Sequence, residues 1–382
     1  MDLIIPVLIG IAVLSFLVFV HEAGHFLAAK LFGVKVEEFG FGFPFPGKIW
    51  SVKKGETTYS INWLPAGGFV KLYGEESGSA RGPRAFTSKP VGVRIIIAAA
   101  GVIVNIALAV ILFTILLAAS SFKADFDLQI PNQFPFGKQT NYVLITGVEE
   151  GSPAQMAGLK FGDKILSHDG QRVNFVEDLQ DLVEVNKGKP LSLLVENIKE
   201  DNQLRVVNAV PRIDPPEGQG ALGLGLAQGA TVAYESFAER LFSGVLHSGN
   251  MLQYQWVGMK TIFGKAFEQG SLEPIASQSS GPVGIVAVLG VIVQNAGTES
   301  VRILLTLTAF ISLVLGVVNI LPIPAMDGGR LFFFALEAVR GKKVSPKVEN
   351  LVHSIGFVVL IFLFLLITFN DVVKIFTGRI FG

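Results

Sequence analysis

The 382-residue chain contains no cysteine. Disulfides, thiolate metal ligands and a cysteine nucleophile are therefore excluded, leaving imidazole and carboxylate to hold any metal. Charge is also scarce. Asp, Glu, Lys and Arg make up 16% of the chain, against about 25% in an average soluble domain. Acidic and basic residues number 31 each, so no basic excess points to nucleic acid as a partner. Histidine occurs five times, so a pair at ligand spacing carries weight. The chain is instead rich in apolar residues, at 50%, with a mean hydropathy of +0.53. That balance belongs to a membrane protein, and the length leaves room for a membrane core plus one soluble module.

Apolar runs at Leu3–Val20, Ile95–Phe122, Ile303–Leu321 and Leu351–Phe369 are long enough to cross a bilayer. The start, Met-Asp-Leu, lacks the basic region of a signal peptide, so the first run is read as a retained span. Pro282–Val293 is apolar but too short, which suits an interfacial or re-entrant segment. Between the first two spans lie Lys30, Lys35, Lys48, Lys53, Lys54, Lys71, Arg81, Arg84, Lys89 and Arg94. Arg330, Arg340, Lys342, Lys343 and Lys347 join the last two. Placing both basic loops in the cytoplasm puts both termini and the long Lys123–Arg302 segment outside.

Within that outer segment, residues 123–139 read as a connector. Residues 140–212 alternate as short strands (Tyr142–Val148, Leu191–Glu196, Leu204–Val210) around one polar, helix-period stretch, Val176–Val185. Residues 213–231 are rich in Pro and Gly and read as a linker. Residues 232–268 suggest amphipathic helices at the membrane surface. The expected fold class is an α-helical polytopic membrane protein with about four transmembrane helices, a membrane-associated β-hairpin and an inserted small β-rich domain. Residues 1–122 and 301–382 form its membrane core, and 213–300 hold the linker and surface helices.

The sharpest motif is His21-Glu22-Ala23-Gly24-His25. On a helix, residues four apart share a face, so both imidazoles can reach one ion. Glu22 projects about 100° away, within reach of a metal-bound water's proton. Ionisable groups at membrane depth are costly, which disfavours a purely structural polar patch. A catalytic zinc needs a third protein ligand. His168 and His247 lie in the outer region and His353 opens the fourth span, so an acidic residue is the better candidate. Asp327 follows Pro322 and Pro324, which break a helix at membrane depth and let a carboxylate turn inward. From the residues alone, Asp327-Gly328 is equally well a turn before the next helix.

Together, His21–His25 and Asn319–Gly328 resemble the site-2 protease family of intramembrane metalloproteases. Gly40-Phe-Gly-Phe-Pro44, Leu64–Glu75, Ala100-Gly101-Val-Ile-Val-Asn105 and Gly281-Pro-Val-Gly-Ile285 agree with it. Residues 151–170 resemble a PDZ domain, which makes the 140–212 module PDZ-like. The resemblance implies Zn2+ held by His21, His25 and Asp327, with Glu22 as general base. It implies single-pass membrane proteins as substrates, such as anti-sigma factors or remnant signal peptides, and a bacterial inner (cytoplasmic) membrane location. It favours substrate handling for Asn319, whereas Asn105 is expected to serve helix packing. It also favours the alternating segment Thr57–Leu64 as a substrate clamp, an unpaired edge holding peptide along Thr58, Tyr59, Ser60, Ile61 and Asn62. The chain departs from the pattern in having room for one PDZ domain where bacterial members often have two, and in Val102 where many have proline. A metal transporter or a proteolytically dead, membrane-anchored PDZ scaffold are the alternatives. Neither requires a glutamate between the two histidines together with an outer module.

Overall fold

The computed structural model of the chain describes residues 4–75, 82–197, 203–216, 218–278, 281, 284 and 300–377. The chain divides into two compact units, Met1–Leu116 with Ile262–Gly382, and Leu117–Thr261. It begins with α1 (Ile4–Leu31), β1 (Val36–Lys54), β2 (Thr57–Leu72) and α2 (Val91–Ala119). There follow β3 (Lys123–Leu128), β4 (Lys138–Val148), α3 (Pro153–Met156), β5 (Asp163–His168), β6 (Gln171–Arg172) and α4 (Val176–Val185). Next come β7 (Leu191–Asn197), β8 (Gln203–Ala209), β9 (Leu224–Ala233), α5 (Phe237–Leu241) and α6 (Ser243–Gln269). The chain continues with α7 (Glu273–Gln278), α8 (Ser300–Ile320), α9 (Asp327–Arg340) and α10 (Pro346–Phe376).

In the first unit, α1, α2, α8 and α10 contain the four stretches that, among the described residues, are long and apolar enough to cross a membrane. The apolar runs mark these helices, but α1 continues well past Val20 to Leu31. Its 28 residues extend about 42 Å, beyond a hydrocarbon layer of about 30 Å. Small residues let α1 and α2 approach closely: a Cβ on Gly24 would meet the Ala100 carbonyl oxygen at 2.7 Å. Gly316 does the same for α8, where a Cβ would lie 2.7 Å from Ile106. The last helix, α10, leaves Phe357, Val358, Phe362 and Leu365 exposed, as a lipid-facing surface would. Of the expected interfacial segment Pro282–Val293, only Gly284 is among the described residues. The Gly284 N–H donates to the buried Asp371 carboxylate at 2.8 Å.

β1 and β2 form one antiparallel pair, but each bends, so the register makes four runs. Their order is 68–72, 36–43, 57–64 and 48–54: Phe39 faces Val70 and Tyr59, and Tyr59 in turn faces Val52. This corrects the expectation of an unpaired edge along Thr58, Tyr59, Ser60, Ile61 and Asn62. Thr58, Tyr59, Ser60 and Ile61 have a strand neighbour on both sides, and Asn62 faces Lys48. The buried Asn62 side chain donates to the Gly42 carbonyl at 3.0 Å and Ser60 Oγ to Glu38 at 2.6 Å. The backbone of Thr58–Ile61 and the Ser60 and Asn62 side chains are thus committed internally, and the free side of the sheet near α1 belongs to Gly68–Leu72. At the far end Phe45, Trp50 and Trp63 are exposed, an aromatic tip suited to a lipid interface.

The second unit is a twisted antiparallel sheet in the order β3-β9-β4-β5-β7-β8, with β6 paired to β5. Alternation in β7 is complete, its residues being buried at every second position. Val143, Ile145, Ile165, Leu191, Leu193 and Val195 form the core, and Leu179 of α4 closes it. The strands and helix expected within 140–212 are present, but the sheet extends beyond them. Leu224–Ala233, in the stretch read as linker, is a strand paired with β4 along its length, and β3 lies in the expected connector. The glycines that suggested a linker serve the sheet. A Cβ on Gly229 would lie 2.2 Å from the Tyr142 ring, which crosses over it.

Candidate metal centre

α1 carries His21 and His25 one turn apart, the first buried and the second nearly so. Asp327 is brought to them by a break in the chain. α8 ends at Ile320, Pro322 and Pro324 cannot continue it, and α9 starts at Asp327. The turn is tight: a Cβ on Gly328 would lie 1.9 Å from the Leu321 carbonyl oxygen, and Ala325 takes a positive φ of 70°. At 325 the backbone is held from α10, where His353 Nδ1 accepts the Ala325 N–H at 2.9 Å. In the first turn of α9, the Asp327 carboxylate also sits at the positive end of that helix. Phe334 anchors α9 by packing against Phe86, Ile97 and Ala98. The ion pair of the buried Arg94 with Glu337 ties α9 to α2.

These elements bring three ligand atoms together. His21 Nε2 lies 2.8 Å from Asp327 Oδ2, and His25 Nε2 lies 3.2 Å from both. His25 Nδ1–H donates to the Ile97 carbonyl of α2 at 2.8 Å, which leaves its Nε2 lone pair facing the cluster. This is the only group of three such side chains within ligand distance among the described residues.

The donor set fits zinc. Tetrahedral ligands with bonds of about 2.0–2.1 Å lie about 3.3 Å apart, close to the spacing seen here. The space beside them is kept open by α2: a Cβ on Gly101 would lie 2.5 Å from His25 Nε2 and 2.7 Å from His21 Nε2. Glu22 lines the adjoining cavity of about 520 Å³ with His25, Asp327, Arg330 and the hairpin run Gly68–Leu72. A Cβ on Gly68 would lie 3.4 Å from Glu22 Cγ, so this strand edge runs within ordinary contact distance of the glutamate.

The expected site residues thus fall into two groups. His21, Glu22, His25 and Asp327 come together. Thr58, Tyr59, Ser60, Ile61 and Asn62 lie two strand runs in from the cavity-lining edge, and the half-buried Asn319 lies at the end of α8 without lining the cavity. Several contributors were given no role at the site by the sequence: the Ile97 carbonyl, the Gly101 space, the His353 hold on residue 325 and the Arg330–Glu75 ion pair at the cavity wall. Asn105 differs from its expected role. Its carbonyl accepts from Ser312 of α8, as packing requires, but its amide faces His21.

Comparison with known proteins adds an independent observation. The model of a protein family, Peptidase family M50, matches residues 9–363. A candidate zinc metalloprotease of Clostridium acetobutylicum is 36% identical over 368 residues, covering 96% of this chain and 97% of the relative. Another, from Fusobacterium nucleatum, is 35% identical over 378 residues, with 97% and 99% covered. Zinc metalloprotease RasP of Geobacillus kaustophilus is 29% identical over 452 residues, with 96% and 97% covered.

Proposed function

The chain belongs to peptidase family M50, and from that premise we propose that His21, His25 and Asp327 hold the zinc ion of an intramembrane metalloprotease. The protein is a zinc metalloprotease of the membrane, acting on membrane-protein substrates. The observation that carries the ligand assignment is the convergence of two imidazoles and a carboxylate beside the gap left by Gly101. When bound there, zinc supplies Lewis acidity toward a peptide carbonyl and lowers the pKa of water. The rest is the work of the chain. Glu22, beside His21 and lining the same cavity, takes the proton from the attacking water and returns it to the departing amine. The break before Asp327 seats the carboxylate, and α2 holds the histidine rings in place.

A membrane helix hides its peptide groups in its own hydrogen bonds and must unwind before it is cut. We assign the holding of the extended form to the Gly68–Leu72 edge, which lines the cavity with Glu22. A substrate strand added there lies beside the glutamate, whereas one at Thr58–Asn62 would have to displace a paired strand. Single-pass membrane proteins, including anti-sigma factors and remnant signal peptides, are the proposed substrates. The basic loops favour a metal centre reached from the cytoplasm of an inner membrane and a PDZ-like β unit outside. On that reading the β unit controls access and takes no part in hydrolysis. A transporter or an inert scaffold would have no use for Glu22 beside the ligands.

The direct test uses the purified full chain and a fluorescently labelled model transmembrane helix. Cleavage should stop on adding a zinc chelator and return when zinc is restored. Cleavage that persists at full rate after the metal is removed would contradict the reading.

A further inference from the structure

The two histidines of the centre are held from behind by different kinds of group. His25 Nδ1–H donates to a backbone carbonyl, that of Ile97, which can only accept. That bond keeps the proton on Nδ1 and leaves Nε2 ready for a metal. Behind His21 stands the side-chain amide of Asn105, with Nδ2 3.3 Å from His21 Nδ1. Asn105 is 1% exposed, and its Oδ1 has no hydrogen-bond partner among the described residues. The arrangement suits a His21 whose proton is on Nε2, where it is donated to Asp327 at 2.8 Å. Nδ1 then accepts from the amide.

Ligation reverses these roles. A neutral imidazole that gives its Nε2 lone pair to an ion must carry its proton on Nδ1. That N–H would then face the amide N–H of Asn105, two donors opposed in a buried site, which is unfavourable. A carboxamide has a way out. Its oxygen and nitrogen ends are nearly the same shape, so a half-turn of the terminal amide presents Oδ1 where Nδ2 stood. Here the turn gives up no hydrogen bond at Oδ1, because that atom makes none among the described residues. The backbone of Asn105 stays in place meanwhile, its carbonyl held by Ser312 Oγ at 2.8 Å.

We propose that Asn105 is a positioning residue for His21. Its Oδ1 accepts the Nδ1–H of the metal-bound ring, fixing both its tautomer and its orientation. An asparagine can serve His21 in either tautomer, donating to the free ring and accepting from the ligated one. Aspartate can serve only the ligated form and leucine neither. The inference rests on His21 being a zinc ligand and adds to it the residue that prepares it.

The experiment measures zinc affinity of the purified full chain by chelator competition, without reference to activity. Asn105→Leu should weaken zinc binding about 10–100-fold, the usual effect of losing a partner behind a ligand. Asn105→Asp should restore affinity to within a few-fold of the unmodified chain. With Co2+ in place of zinc, the visible absorption bands should shift in the leucine variant and return in the aspartate variant. Ser312→Ala, which removes only the contact to the Asn105 carbonyl, should leave affinity and spectrum unchanged. Should Asn105→Leu fail to fold, Asn105→Ala against Asn105→Asp makes the same comparison. Leucine and alanine variants that bind zinc as tightly as the unmodified chain would overturn the proposal, as would equal losses in the leucine and aspartate variants. His21→Ala separates the two levels. A chain that keeps its zinc without His21 refutes the ligand assignment itself. One that loses zinc with His21→Ala but is unmoved by Asn105→Leu refutes only the role of Asn105.

Discussion

Adding a single methyl group at residue 101 should test the metal centre from an unusual side. Gly101→Ala places a carbon where the ion belongs, 2.5–2.7 Å from both histidine Nε2 atoms. Alanine suits a helix better than glycine, so α2 itself should lose nothing. The variant should therefore fold and insert normally while its zinc content, read by atomic absorption, falls to near zero. Normal zinc content would mean that the ion sits elsewhere. At this scale the motif residues were legible: His21, Glu22 and His25 fall within five consecutive positions, and helical geometry alone aligns them. Asp327 was legible only as one of two readings, since a carboxylate before two glycines is equally a turn. Gly101 and Ile97 act through emptiness and a backbone carbonyl, neither of which has a residue-type signature. The amide of Asn105 reaches His21 across 84 positions, a pairing no local pattern records.

Among the elements, the bent hairpin departs furthest from expectation. Alternation in Thr57–Leu64 correctly marked a strand but could not reveal its neighbours, because β1 folds around it and pairs on both sides. The edge role passes to Gly68–Leu72, which in the sequence stood out only as part of the Leu64–Glu75 motif. Proline scanning distinguishes the two runs. At alternate positions of Gly68–Leu72 proline should cut cleavage at least tenfold with zinc content intact. Within Thr58–Ile61 it should instead disrupt the hairpin, read as increased proteolytic sensitivity. Equal and mild effects in both runs would rule out strand addition at this edge. In the β unit, β9 escaped notice for a related reason: Gly225 and Gly229 are there to make room across the strands, not to loosen the chain.

The same unit holds a buried histidine with a predictable response to acid. Burial lowers His247 from 6.5 to about 4, and its Nδ1 accepts from Tyr234 Oη at 3.2 Å. The unfolded chain takes up a proton below about pH 6.5 that the native unit refuses until about pH 4. Stability should be full above pH 6.5 and fall as the pH drops toward 4, by on the order of 3 kcal/mol. His247→Gln should remove that part of the acid sensitivity in urea unfolding of strands β3 and β9. An unchanged pH dependence in the variant would show that His247 is not the source.

For the whole molecule, hydropathy was a good guide to the four spans, because apolar length is a property of each segment alone. The sides of the membrane are a different matter, resting on the Lys and Arg of short loops. With no native cysteine, single cysteines report sidedness cleanly. Cysteine at Lys54 or Lys342 should react only from the cytoplasm, and at Gln171 only from outside. If Gln171 and Lys54 label from the same side, the β unit cannot act across the membrane from the metal. Glu22 is the one member of the motif that is assigned to chemistry and not to the metal. The decisive measurement pairs zinc content with cleavage of a model membrane helix in Glu22→Gln. About one zinc per chain with cleavage reduced at least a thousandfold is the predicted result, a loss on the scale expected for a general base. Cleavage at the normal rate in a zinc-loaded Glu22→Gln enzyme would contradict it.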